Sequence, residues 1–224
     1  MKKLLFILLC LPMIGFGQVT IIRDANFEQA LINLGYDNNL NGSVYTAMIN
    51  TVTGLSVNNQ SIYDLTGIED FTALDTLDCN YNQLTTLDVS QNTALTWLNC
   101  NANQLTTLDV SGATALTYLE CYNNQLTTLD VRNGNNTNFT YFNATSNFNL
   151  SCINVDDWQW SYANWLLVDA QQYFSNNCSG TDIEEHTTNK ELLRTIDVLG
   201  RETKKQPLFY IYDDGTVEKR IVIE

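Results

Sequence analysis

The sequence predicts a mainly β fold, a solenoid of short stacked repeats, and three observations carry that prediction. Residues 74–94, 95–115 and 116–138 are near-copies of one another, and a weaker fourth copy starts at Phe139. A period of about 21 residues is typical of stacked units, because one such unit cannot bury its apolar face alone. Each copy has two arms with apolar residues spaced by three and then two positions, which leaves no room for a long helix. Each repeat is therefore predicted as a flat β coil of one good strand and one extended arm.

The chain opens with the features of a secretory signal peptide over residues 1–17. Two lysines precede an apolar stretch that ends at Ile14, and a Gly-Phe-Gly exit follows. This stretch is too short to span a bilayer, and no other run of about 18 apolar residues exists, so we expect no transmembrane span. Cys10 raises the alternative of a lipoprotein anchor, but Leu9 precedes it where a small residue is needed.

The charge balance argues against nucleic acid as a partner. The chain has 25 acidic and 11 basic residues and a net charge of −14, which becomes −16 once the two leader lysines are removed. Between residues 18 and 180 the only basic residues are Arg23 and Arg132. Such a surface repels phosphate groups, which bind to clusters of lysine and arginine.

Residues 18–51 are predicted to form an N-terminal cap, because the open end of a solenoid exposes apolar side chains and unpaired strand edges. A short amphipathic helix is expected there, with Asp24 as N-cap and Gly35 as stop. Its apolar face would contain Phe27, Leu31 and Leu34. The D-x-N-x-N-G spacing over 37–42 matches the first half of a calcium loop. Since the twelfth position is Met48 and not a carboxylate, an Asn/Gly-rich turn is favoured.

Residues 52–155 contain the repeats, beginning with a degenerate copy whose apolar slots are Val52, Leu55, Val57, Ile62, Leu65 and Ile68. The clear copies read L-x-x-L-x-C-x-x-N-x-L and resemble leucine-rich repeats. The phrase NQLTTLDVS resembles the leucine-rich-repeat proteins that Bacteroidetes bacteria export, and the likeness covers roughly residues 19–178. In leucine-rich repeats the asparagine side chain bonds to backbone across the turn. The resemblance therefore implies a buried ladder of Asn82, Asn103, Asn124 and Asn147.

The end of the chain is predicted in three parts. Residues 156–178 form a C-terminal cap, and a disulfide between Cys152 and Cys178 is plausible in an exported protein. Residues 179–189 are a polar linker. Residues 190–224 show a hairpin signal around Asp213-Asp214-Gly215 and resemble the C-terminal β sorting domain of the type IX secretion system.

The tail is shorter than many such sorting domains, and Pro207 starts a segment where a Gly-x-Tyr pattern is usual. The resemblance implies that residues 190–224 bind the type IX secretion machinery. It also implies export through the periplasm to the medium or the outer cell surface.

The strand face of the repeats is the predicted binding surface. Outward residues form columns up the stack, and the sheet surface of a solenoid is where ligands usually bind. The protein is predicted to be a non-catalytic module that binds a protein ligand on this concave face. Glycan binding on the same stripe, or a structural or adhesive role in which the aromatics merely stabilise the sheet, are the alternatives. The predicted contact residues are Trp97, Tyr118, Tyr141, Asp78, Asn99, Glu120 and Tyr122.

Other polar clusters are interpreted as structural, so we expect no enzyme, metal or cofactor. The column Asp88, Asp109 and Asp130 is expected to accept backbone N–H groups and not to bind a cation. The column Cys79, Cys100 and Cys121 lacks the paired spacing of a zinc site and is expected to be buried. The Asp156-Asp157 pair could suggest a glycosidase but is better explained as a polar cap. The single histidine, His186, lies in the linker without partners for a catalytic triad.

Overall fold

The structure is a computed structural model that describes residues 17–178, 192–196, 208–212 and 217–220. Residues 1–16 of the predicted leader, the linker 179–189 and His186 lie outside the described residues. The chain divides into two compact units, Met1–Cys178 and Ser179–Glu224. No helix in the described part of the chain is long and apolar enough to cross a membrane.

The first unit begins with a small α/β cap. Two strands pair antiparallel, with Val19 opposite Tyr45, and a helix connects them. The elements are β1 (Val19–Ile21), α1 (Ala25–Asn33), β2 (Ser43–Tyr45) and α2 (Thr46–Ile49).

Asp24 both starts α1 and fastens it to the repeats. Its Oδ1 accepts the backbone N–H groups of Asn26 and Phe27, as predicted for an N-cap, and its Oδ2 accepts that of Tyr63 in the first repeat at 2.6 Å. Phe27 and Leu31 are fully buried. The prediction that Leu34 shares this face was wrong, since α1 ends at Asn33 and Leu34 is 46% exposed.

Side chains of the cap accept hydrogen bonds from the backbone N–H groups of the Asn/Gly-rich loop before β2. The buried carboxylate of Glu28 accepts the backbone N–H groups of Asn41, Gly42 and Ser43 at 2.7–3.2 Å. Asn41 Oδ1 also accepts the N–H of Ser43. The loop therefore has the side-chain-to-backbone bonding expected of an asparagine turn.

The front sheet consists of five parallel strands, one for each repeat coil, here called a rung. Successive rungs are in register, so that Trp97 lies opposite Tyr118 and Tyr118 opposite Tyr141. The middle residue of every strand points inward and is buried. The strands are β3 (Gly54–Ser56), β4 (Thr76–Asp78), β5 (Trp97–Asn99), β7 (Tyr118–Glu120) and β9 (Tyr141–Asn143).

The second arm also forms a sheet, which corrects the prediction of a merely extended arm. Four parallel strands pair side by side in chain order, and a bridge from Asp88 to Asp109 extends the pairing into the first clear copy. The inward residues Leu108, Leu129 and Ile153 are buried and hold the arms in register. The strands are β6 (Thr107–Asp109), β8 (Thr128–Asp130), β10 (Cys152–Asn154) and β11 (Tyr173–Ser175).

One continuous apolar core fills the space between the two sheets. The six apolar slots of the degenerate copy are all buried, which confirms that it is the first rung of the stack. Cys79, Cys100 and Cys121 are fully buried free thiols in the inner column, and Ala144 takes that slot in the fourth copy. Short 3-10 helices at Ile68–Asp70 and Asn136–Asn138 turn the chain at the edge of the stack.

The predicted asparagine ladder is present and ties each rung to the one before it. The amide of Asn103 donates to the carbonyls of Cys79 and Cys100 at 3.0 and 3.1 Å, and its Oδ1 accepts the N–H of Leu84. The residue before each of these asparagines in the clear copies has a positive φ, 51° at both Tyr81 and Ala102. The same bonds recur at Asn82, Asn124 and Asn147.

An aromatic plug and a disulfide close the far end of the first unit. Trp165 stacks on Phe142 with ring centroids 4.2 Å apart, and helix α3 (Trp158–Asn164) precedes it. Cys152 and Cys178 form a disulfide with Cα atoms 5.7 Å apart. The end of the core is thereby shielded from water.

The second unit contains a three-stranded antiparallel sheet. The central strand pairs with both neighbours, with Phe209 opposite Ile196 on one side and Lys219 on the other. The strands are β12 (Leu192–Ile196), β13 (Leu208–Tyr212) and β14 (Val217–Arg220).

Replacing Asn103 with Ala tests the ladder. The change removes four hydrogen bonds and leaves the buried N–H of Leu84 unpaired, while the carbonyls of Cys79 and Cys100 each keep one other ladder asparagine as a donor. We expect a loss of about 2–4 kcal/mol in the free energy of unfolding. Urea denaturation followed by circular dichroism measures it. The exposed neighbour Gln104 is the matched control, and Gln104→Ala should cost less than about 0.5 kcal/mol. Equal midpoints for the two variants would contradict the role of the ladder.

Candidate binding surface

The outward residues of the front sheet form three parallel columns, together called the front face. Neighbouring columns are about 6.6 Å apart along each strand, and neighbouring rungs about 4.8 Å apart. The columns are Thr76, Trp97, Tyr118 and Tyr141; Asp78, Asn99, Glu120 and Asn143; and Asn80, Asn101, Tyr122 and Thr145.

Three of the four residues in the first column form a continuous stack of aromatic rings. The centroids of Trp97 and Tyr118 are 5.1 Å apart with planes at 22°, and those of Tyr118 and Tyr141 are 4.8 Å apart at 16°. All three side chains are half-buried. The rings therefore stabilise one another and still present a rigid, partly exposed surface to a ligand.

Glu120 links the first column to the third. Its Oε1 accepts the hydroxyl of Tyr118 at 2.5 Å, and its Oε2 accepts the side-chain amide of Asn101 at 3.1 Å. Burial raises the pKa of Tyr118 well above its ordinary value, and the hydrogen bond and negative charge of Glu120 raise it further. Tyr118 is thus a fixed donor to Glu120 at physiological pH.

Two amides support the surface from beneath. Asn99 is only 7% exposed, and its Oδ1 accepts the amide of Asn101 at 2.6 Å. This burial leaves Asn99 little area for contact, so that its main effect is to orient Asn101. Asn101 is 2% exposed, and its Oδ1 has no hydrogen-bond partner among the described residues.

Tyr122 of the third column and the neighbouring Tyr81 are two further aromatic residues at the edge of the face. Burial raises the pKa of Tyr122, and the nearby hydroxyl of Tyr81 and carboxylate of Glu120 add to the shift. Sequence reasoning did not select Tyr81 or Asn101 as contact residues. The sequence could have indicated Tyr81, because its position varies between rungs as the front face does. The equivalent residues in the next two rungs are Ala102 and Asn123.

Asp78 sits in the middle column, two rungs before Glu120. Its Oδ2 accepts the side-chain amide of Asn58 at 3.1 Å. The front face therefore carries two carboxylates, each held by amide or hydroxyl donors.

The aspartates of the second arm have the structural role that was predicted for them. The Oδ1 atoms of Asp88, Asp109 and Asp130 each accept the backbone N–H two residues ahead, at 2.8–3.1 Å. Asp130 also forms an ion pair with Arg132. These carboxylates belong to the turns of the scaffold.

The cysteine column is buried in the core and protonated. Burial raises the pKa of the Cys100 thiol to about 12, and burial also raises that of Cys79 and Cys121. Among the described residues, no three His, Cys, Asp or Glu side chains are grouped to hold a metal ion.

The Asp156-Asp157 pair belongs to the cap. Asp157 accepts the backbone N–H of Trp160 and starts α3, and the backbone N–H of Asp156 donates to Asn136. Both residues are used in local hydrogen bonds, consistent with the polar-cap interpretation.

The repeats resemble those of internalins. A stretch of 42 residues is 57% identical to Internalin J of Listeria monocytogenes serotype 4b (strain F2365), and it covers 19% of this chain and 5% of that protein. No protein-family model matches the sequence.

A solved structure of InlJ gives the same likeness at the level of the fold. The functional domain of InlJ from Listeria monocytogenes, which includes a cysteine ladder, matches with a TM-score of 0.52 and 38% identity, covering 61% of this chain and 33% of that one. The internalin InlF of the same species matches with a TM-score of 0.47 and 18% identity over 61% of this chain and 52% of that one. The repeat region is thus similar to the InlJ domain, and this chain spans a third of that domain's length. This chain, too, stacks cysteines in an inner column.

Replacing Glu120 with Gln should lower the pKa of Tyr118, because the neutral amide no longer disfavours the phenolate. A pH titration of 13C-labelled tyrosine by NMR measures the shift, with Tyr118→Phe identifying the resonance. Asp88→Asn removes the same charge from the second arm and should leave this pKa unchanged. An unaltered Tyr118 titration in Glu120→Gln would show that the two side chains are not coupled.

Proposed function

We propose that the protein is a non-catalytic, exported binding module that recognises a protein ligand through the front face. The observation that carries the proposal is the stack of Trp97, Tyr118 and Tyr141, which is rigid, half-exposed and flanked by polar groups. Aromatic residues of this kind dominate the binding energy of protein interfaces. The likeness of the repeats to the functional domain of InlJ also supports this proposal.

Differences between the rungs support the choice of face. The second arm repeats LTTLDV without change in the three clear copies, whereas the first column of the front face changes from Thr76 to Trp97 to Tyr118. Residues that only stabilise a repeat can be the same in every rung. A surface that contacts an irregular ligand needs different side chains along its length.

A glycan ligand is the second candidate, and the same stack favours it, because flat rings pack against the apolar faces of sugars. A glycan array and an unbiased pull-down, both with the full chain, distinguish the two candidates. Binding on the array supports a glycan ligand, and capture of a protein supports a protein ligand. A purely structural or adhesive role remains the outcome if neither assay yields a ligand.

We also propose that the second unit directs export. Its three-stranded antiparallel sheet and the sequence features of residues 190–224 fit a type IX sorting domain, and the predicted leader would first carry the chain to the periplasm. Secretion or display on the outer cell surface follows from this proposal.

Replacing Trp97 and Tyr118 with Ala should weaken binding of the captured protein by at least about 30-fold, since truncated aromatic anchors cost about 2 kcal/mol or more. Surface plasmon resonance with the purified ligand measures the affinity, and circular dichroism verifies the fold. Thr106→Ala on the second arm is the matched control and should bind normally. If the double variant is folded and retains full affinity, the front face is not the binding surface.

Deleting residues 190–224 should trap the protein in the periplasm, because the export machinery would lose its signal. Immunoblots of periplasm, outer membrane and medium measure the distribution in the native host. Substituting Trp97 in the full-length chain should leave export normal. Normal release of the truncated chain into the medium would rule out the sorting role.

A further inference from the structure

Glu120 lies between aromatic residues of the first and third columns, at a site that we call the trough. In the rung of β7 the outward side chains follow the order Tyr118, Glu120, Tyr122, and Tyr122 lies two residues beyond the end of the strand. Alternate residues of an extended segment are about 6.6 Å apart. Trp97 and Tyr141 stack on either side of Tyr118 in the first column. Tyr81 lies beside Tyr122 on the other side. The trough is defined here by Tyr118, Glu120, Tyr122 and the buried amide of Asn101.

The trough has spare acceptors. Each carboxylate oxygen of Glu120 accepts one hydrogen bond, from Tyr118 and from Asn101, and each can accept another. The Oδ1 of Asn101 is buried beside it and has no partner among the described residues. An unpaired buried acceptor is costly, so the trough favours a ligand that brings hydrogen-bond donors.

The trough also has spare negative charge. Between residues 18 and 180 the only basic side chains are Arg23 and Arg132, and Arg132 is paired with Asp130 on the second arm. Glu120 forms no ion pair among the described residues, and Asp78 adds a second carboxylate two rungs away. The complementary ligand group is therefore a cation.

We propose that the trough binds an arginine side chain of the protein ligand. A guanidinium group is planar, stacks on aromatic faces and offers donors in a fork that suits a carboxylate. A lysine ammonium has no flat face, and a sugar hydroxyl cannot neutralise Glu120. The inference rests on the proposed function, since it names the chemistry of the partner at the same surface.

Peptides of nine residues with three arginines in a Gly/Ser background test the inference on the full chain. Matched peptides carry citrulline, which has the same shape without the charge, or lysine, and maltoheptaose serves as the sugar probe. NMR shifts of the Trp97 indole N–H measure binding. We expect the arginine peptide to bind about tenfold more tightly than the citrulline peptide, and Glu120→Gln to remove that difference. Asp88→Asn removes the same charge from the second arm and should keep it.

Several results would overturn the inference. Equal affinity for arginine and citrulline peptides, or equal losses in Glu120→Gln and Asp88→Asn, would reduce the effect to general charge attraction. Tighter binding of lysine, or a Trp97 shift with the sugar alone, would reassign the trough to another ligand class. If the captured protein needs Trp97 but not Glu120, this inference fails and the proposed function stands. If the trough selects arginine while the captured protein ignores Trp97, the proposed function fails instead.

Discussion

The asparagine ladder is the constraint on which the rest of the structure depends. A flat coil of about 21 residues leaves many backbone groups facing inward at its turns, and buried unpaired groups are expensive. Each ladder residue satisfies a carbonyl of its own rung, a carbonyl of the rung before it and an N–H of that rung. The spacing between rungs is thereby set, and the apolar columns of leucine and cysteine come into contact as a consequence.

The ladder and the core maintain the fold without help from the front face, which explains why the residues of that face can vary. Because the ladder and the inner columns fix each rung, the outward residues are free to change without loss of register. Trp97, Tyr118 and Tyr141 then lie at stacking distance because the rungs do. The scaffold supplies the order of the surface, and the side chains supply its chemistry.

Much of the fold was predictable because residues with a structural role recur at the same position in each repeat. Asparagine, leucine and cysteine recur at fixed positions, and each of these positions predicted a buried side chain in every clear copy. The second sheet was missed because TTLDV gives only a short alternating pattern, and pairing in register depends on neighbouring rungs. Leu34 was misplaced because helix ends are weakly marked in sequence, and α1 stops one residue earlier.

The candidate site was only partly predictable. Columns follow from the repeat, so the aromatic stripe could be located by counting residues. Counting could not show that Asn99 is covered or that Asn101 retains an unpaired oxygen, since both depend on how neighbouring side chains pack. Nor could it place Tyr81 beside Tyr122, because Tyr81 lies in a turn with φ of 51°.

Photo-crosslinking from opposite faces of one scaffold tests the central claim most directly. Benzoylphenylalanine placed at Thr76 continues the aromatic column of the front face, and at Thr106 it lies on the exposed second arm. Irradiation of the full chain with its captured ligand should give a crosslink from position 76 and none from position 106. A crosslink from position 106 alone, or equally from both, would contradict recognition by the front face.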